Sequence, residues 1–324
     1  MDETIRFAVV GIAAPALIGV MAGIGAAMIK GGKPAPGAPA RATASGGPVE
    51  VGFIGARAMA VVGVTVAVFL SMFGVYGMLQ WPPGQMSERL FLMAPIVGAV
   101  GLAGIFITAW RGARSVGGSR ELGWWVSAAC AGVGAAIATA VALGKPLWEG
   151  TLAPYGSMVW APLAFGLWSA AGAWSVGSVV RRGARISGAI VLVGLCAAVG
   201  AGMTGTFNQE LGKNGFAIAA VTAGLALGVL TLRGAIGPGA IGVICAMLGT
   251  IVACGTLMGH DVPWWVPVGL GCVGPSAWVA DVLVARKMGA FGGGAVRVGV
   301  AALVAAAVVA PGIWALLQFA SGKG

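Results

Sequence analysis

The chain has 324 residues, of which 59% are hydrophobic and only 9% charged, with a formal net charge of +10. A soluble domain carries about a quarter of its residues charged, so a water-soluble globule is excluded. The basic residues sit at the ends of apolar runs rather than on one soluble face, which argues against a nucleic-acid surface.

The apolar residues come in blocks long enough to cross ~30 Å of hydrocarbon. Ten spans are predicted: 6–29, 53–79, 91–110, 123–144, 158–180, 186–205, 215–232, 238–259, 264–285 and 296–320. The expected fold is an all-α integral membrane protein, a single polytopic domain over 1–324, and the expected location is a bacterial inner (cytoplasmic) membrane. The lipid bilayer is then its first partner. The 58 glycines fit this class, because small residues let helix backbones approach closely inside a membrane.

Taken in order, the N-terminal stretch MDETIRFAVVGIAAPALIGVMAGIGAAMIK opens with acidic residues, and its apolar run is too long for a signal peptide. A retained first helix is expected. Residues 31–52, GGKPAPGAPARATASGGPVE with its flanks, cannot bury a core and read as a flexible cytoplasmic Pro/Ala/Gly linker between helices 1 and 2. The remaining loops are too short for a soluble catalytic domain.

Loops after odd-numbered spans carry 14 of the 19 Lys and Arg residues. That bias places the odd loops in the cytoplasm and both termini outside. Trp81, Trp148, Trp160, Trp264 and Trp265 fall near the outer surface. Trp110, Trp124 and Trp125 fall near the inner one, the depths amphipathic rings prefer.

Spans three, five and nine each open with an apolar turn followed by a proline: LFLMAPIVG, MVWAPLAFG and WWVPVGLG. Pro162 and Pro267 align with each other, as do Gly166 and Gly271, and Arg181–Arg182 align with Arg286–Lys287. Duplicated helix hairpins would produce this pattern. So would composition alone in glycine-rich helices.

The densest polar signal is 258–287, MGHDVPWWVPVGLGCVGPSAWVADVLVARK. Asp281 is the one carboxylate placed within a span. It shares a helix face with Gly274, Ala277 and Trp278, which directs it toward another helix. A carboxylate there is a candidate substrate or ion ligand, with Ser276 and Trp278 as neighbours. The competing reading pairs Asp281 with a nearby arginine to fix packing. His260 and Asp261 lie on the outer loop before the Trp pair, and Glu210 lies on the outer loop 206–215; all three are outer-surface candidates.

Several chemistries are disfavoured. With one histidine, a bis-histidine haem or a histidine-rich metal site is not expected. No cofactor is expected, although apolar grooves for quinone, pigment or lipid leave no short motif. There is no G-x-x-x-x-G-K-[ST] phosphate loop. Five cysteines all fall in apolar spans without CxxC spacing and read as small buried residues. In-span hydroxyls at Thr65, Ser71, Thr108, Thr139, Ser169, Thr222, Thr250 and Ser276 either line a path or bond back to their own helix.

Two functions remain. One is a non-catalytic subunit packed within a larger membrane complex, with other membrane subunits or a second copy as partner and bound lipid or an apolar small molecule as a further possibility. The other is a permease or exporter for a small neutral or apolar solute. An enzyme is not expected. A filled interior favours the first, a wet crevice reaching the midplane the second.

Overall fold

The computed structural model describes residues 3–30, 48–77, 89–112, 119–144, 159–206, 208–232, 234–258 and 262–321. Among them there is no β-strand. Ten helices are long and apolar enough to cross a membrane, and the chain has the architecture of a multi-pass membrane protein. In hydrocarbon a helix satisfies its own backbone polar groups, so this is the form such apolar runs must take.

The helices are α1 (Ala14–Lys30), α2 (Pro48–Tyr76), α3 (Met93–Gly112), α4 (Ser119–Leu143), α5 (Trp160–Arg181), α6 (Arg185–Gly205), α7 (Gln209–Thr231), α8 (Pro238–Met258), α9 (Trp265–Leu283) and α10 (Ala290–Ala320). A helical turn, Glu3–Arg6, and a π-helical segment, Phe7–Ala13, lead into α1. The 3₁₀ turn Ala285–Lys287 links α9 to α10.

Pro95, Pro162 and Pro267 each occupy the third residue of their helix. The missing N–H has no intrahelical partner in the first turn, so the helices start there without loss. Pro275 and Pro311 lie inside α9 and α10.

Three helix starts depart from the sequence reading by five residues or more. α2 begins at Pro48, so residues 48–52 of the expected linker are helical; 31–47 lie outside the described residues. α7 begins at Gln209 rather than 215, and α10 at Ala290 rather than 296. Hydropathy marks where lipid stops, whereas hydrogen bonding continues a helix past that point. Glu210 in the first turn of α7 suits the positive end of its dipole.

α8 is the hub. It touches α2, α3, α4, α5, α6 and α7, with a slight contact to α9, and its residues from Ala240 to Gly255 are all buried. Around it, α1 to α5, α9, α10, α6 and α7 form a closed circuit of neighbours. α1 and α10 are the least enclosed of the ten. α10 exposes Phe291, Leu303, Trp314 and Phe319.

Glycine sets the close contacts. The Gly19/Gly23 pair of α1 meets the Gly224/Gly228 pair of α7. A Cβ on Gly224 would lie 2.1 Å from the Ala16 carbonyl oxygen, and one on Gly228 2.2 Å from that of Val20. These GxxxG pairs therefore serve contacts within this chain. α4 and α5 meet the same way at Gly132 and Gly166, and α6 meets α10 at Gly205 and Gly312. Of the cysteines, Cys196, Cys245 and Cys254 are buried as expected. Cys130 is half-buried, and Cys272 is exposed because it lies on the outward face of α9.

Gly228→Ala is expected to separate α1 from α7 and to cost about 1–3 kcal/mol, read as a lower thermal midpoint in detergent. Gly194→Ala, where an added Cβ meets nothing within 4 Å, is expected to leave the midpoint unchanged or raised.

Candidate functional site

Two features lie at the basic end of the bundle, where α5, α7 and α9 finish and α2, α6, α8 and α10 begin. The first is an ion-pair cluster on Asp281, the second a cavity beside it.

Asp281 sits two residues before the end of α9 with its side chain 1% exposed. Arg182 Nη1 donates to Oδ2 at 2.9 Å. Arg297 of α10 donates to Oδ1 through Nε at 2.8 Å, and its Nη2 lies 2.7 Å away. Arg286 Nε stands 3.6 Å from Oδ2. Arg297 Nη1 also reaches Ser187 Oγ on α6 at 3.5 Å. One carboxylate thus ties together α5, α9 and α10, with α6 attached through Ser187. Both carboxylate oxygens receive guanidinium donors, the arrangement a buried charge requires.

The small-residue face of α9 that carries Asp281 packs on α5, as the helical spacing predicts. Gly274 lies against Ser175 and Val176, and Gly271 against the Trp168 ring. Trp168 Nε1 donates to the Pro267 carbonyl at 2.8 Å, a hydrogen bond between α5 and α9.

The other candidates are dispersed. Ser276 donates to its own helix at the Val273 carbonyl, 2.8 Å away. The Trp278 ring meets Trp174 at a 56° tilt with centroids 5.0 Å apart, and Trp174 continues to Trp125 at 5.9 Å; the buried Nε1 of Trp278 has no hydrogen-bond partner. Glu210 is exposed at the opposite end. His260 and Asp261 lie outside the described residues, as do Trp81, Trp148 and the loop 145–157.

The cavity was not legible in the sequence. It has a volume of about 310 Å³, and Arg57 of α2, Arg181 at the end of α5 and Arg185 at the start of α6 line it. Its deepest lining residues, Ala60 and Leu225, stand six residues inside the spans Ile54–Tyr76 and Gln209–Thr231. At 1.5 Å per residue that is a depth of about 9 Å, roughly a third of the ~30 Å hydrocarbon core. A smaller void of about 20 Å³ lies between α2, α3, α4 and α8 beside Thr108, Ser127 and Cys130, room for about one water.

At the opposite end a second polar contact is buried. Asn214 of α7, 1% exposed, bonds the Tyr76 hydroxyl at the end of α2. Lys213 stands 5.9 Å from the centre of the Phe7 ring.

In-span hydroxyls turn inward on their own helices. Thr65, Thr108, Ser169, Thr222 and Thr250 each donate to the carbonyl four residues back, and Ser71 to the one three residues back. Thr139 Oγ1 is buried without a partner. Ser127 donates across helices, to the Pro238 carbonyl of α8. Among the described residues no three His, Cys, Asp or Glu side chains come together to hold a metal ion.

No known protein family, curated protein or solved structure matches the chain.

Asp281→Asn is expected to cost about 1–3 kcal/mol, chiefly because it leaves Arg297, 13% exposed, without its counter-charge, while Arg182 and Arg286 are exposed to solvent. The check is the thermal midpoint of the purified chain. Asp281→Asn with Arg297→Gln is expected to recover part of the loss, because the most enclosed of the three arginines is then also gone.

Proposed function

We propose that the chain is a non-catalytic membrane subunit that packs within, or scaffolds, a larger membrane complex. The observation that carries this reading is the filled interior around α8. The hub helix is buried along most of its length, most in-span hydroxyls bond to their own helices rather than to a path, and the smaller void holds about one water. A transporter of polar solutes needs a polar route near the midplane. The supporting charge arithmetic is the same. Asp281 faces three guanidiniums, so a cation has no electrostatic reason to bind there.

The reading assigns no catalytic step. It sets the basic end in the cytoplasm, on the strength of the 14 basic residues in the odd loops. The exposed apolar faces of α1 and α10 are the surfaces available to other subunits, to a second copy or to lipid.

The permease reading draws on one observation, the cavity at the basic end. It stops about a third of the way into the hydrocarbon by the helix rise, so a permease would need the packing around α8 to open.

The test is mild detergent extraction from native membranes followed by sizing and identification of what travels with the chain. Co-migration with a defined complex at fixed stoichiometry is expected, together with no solute flux in liposomes holding the purified chain. A lone monomer or homodimer that carries a solute across liposomes would overturn the subunit reading.

A further inference from the structure

We propose that the basic-end cavity is a binding site for a phosphate-bearing anion, with the headgroup of an acidic lipid as the form its walls fit best. Three arginines from different helices, Arg57, Arg181 and Arg185, line one space, and no acidic residue lines it among the described residues. A guanidinium offers five N–H donors in a planar fork that matches phosphate oxygens. Such donors are stronger when the acceptor is charged.

Two local features aim these groups. The turn Arg181-Arg182-Gly183-Ala184-Arg185 joins α5 to α6 and divides its arginines. Arg182 turns to Asp281 at 2.9 Å, while Arg181 and Arg185 line the cavity. Gly183 makes the division possible. Its φ of 90° lies in the left-handed region, and a Cβ there would meet nothing within 4 Å. Gly183 itself lines the cavity. The N-terminal ends of α6 and α8 border the space, as do the C-terminal ends of α1, α5 and α7, so the helix dipoles oppose one another and the arginines supply the positive charge.

The remaining wall is apolar and small, with Ala26, Ala56, Ala60, Leu225 and Val229 among its residues. A fully hydrated anion gains nothing from that surface, whereas an amphiphile does. The volume of about 310 Å³ sits at the lower edge of the roughly 300–1,000 Å³ common for small-molecule sites. It holds a headgroup and not the acyl chains, which must run out into the bilayer. Arg181 and Arg185 stand at span ends, the level where headgroups meet chains, and the ~9 Å depth runs inward from there along the apolar wall. This inference stands apart from the subunit reading, since a scaffold and a permease could both hold such a lipid.

The experiment is native mass spectrometry of the purified full chain in neutral detergent, titrated with phosphatidylglycerol or phosphatidylcholine. A parallel thermal-shift series uses inorganic phosphate. Selective retention of phosphatidylglycerol is expected. Arg181→Gln with Arg185→Gln is expected to weaken it more than tenfold, at about fivefold per arginine. Lys287→Gln removes an exposed charge from the same end outside the cavity and is expected to leave binding unchanged. Ala235→Trp fills the cavity with every charge retained and is expected to abolish binding, which keeps the test informative if the arginine double variant fails to fold. Stabilisation by inorganic phosphate without lipid preference, lost in the same variants, would assign the site to free phosphate. Equal loss with Lys287→Gln, or full binding in Ala235→Trp, would show general attraction to a basic surface and overturn the site. No binding of either probe overturns it as well.

Discussion

A helix with neighbours on nearly every side must let them close to its axis, and α8 does so through glycine. Cβ atoms at Gly242, Gly249 and Gly255 would lie 2.6 Å from Ser127 Oγ, 1.9 Å from Ser169 Oγ and 2.3 Å from Met203 Sδ. Each glycine receives a side chain from a different helix: α4, α5 and α6. Between helices in lipid there is little hydrophobic drive, so close van der Waals contact and a few cross-helix hydrogen bonds hold the bundle. The filled interior follows from the same constraint. Side chains that enter glycine notches leave little room for water, and their hydroxyls are spent on backbone carbonyls.

Charge is confined to the ends because the centre cannot solvate it. Asp281 lies near the end of its helix, within reach of arginines from three elements. Its burial is compatible with charge because both oxygens are occupied. The cluster retains an excess of positive charge, three guanidiniums to one carboxylate, beside a cavity that adds three more arginines. The basic end is thus a graded surface in which some arginines clasp helices together and others line a space. Among the described residues the opposite end has no comparable concentration of arginine. Its buried contact is the neutral pair Tyr76–Asn214.

Much of the fold was legible in the chain. Apolar run length identified ten spans, and prolines near the starts of α3, α5 and α9 marked true helix starts because the first turn tolerates a missing N–H. The helical face of Asp281 was also readable, since Gly271, Gly274 and Ala277 recur on that face and a small-residue stripe turns toward a neighbour. Boundaries at α7 and α10 were misplaced by about two turns, because hydropathy measures lipid contact and not hydrogen bonding. The cavity was not legible. Arg57, Arg181 and Arg185 stand far apart in sequence or alternate with a residue that faces elsewhere, and nothing in the spacing of Arg181, Arg182 and Arg185 says which guanidinium turns to Asp281.

The sequence by itself determined what kind of molecule this is and where its charges must lie, because bilayer thickness sets helix length and the cost of burying charge excludes it from the spans. Only the tertiary structure decided which helices meet. A GxxxG pair states that some backbone will approach closely, not which one. It took the packing of α1 on α7, and of seven neighbours on α8, to show that these contacts close within the chain. The same packing surrounds Asp281 with arginines that tie α9 to α5 and α10. The sense of an intramembrane carboxylate depends on what stands within ~4 Å of it, a distance no linear spacing encodes.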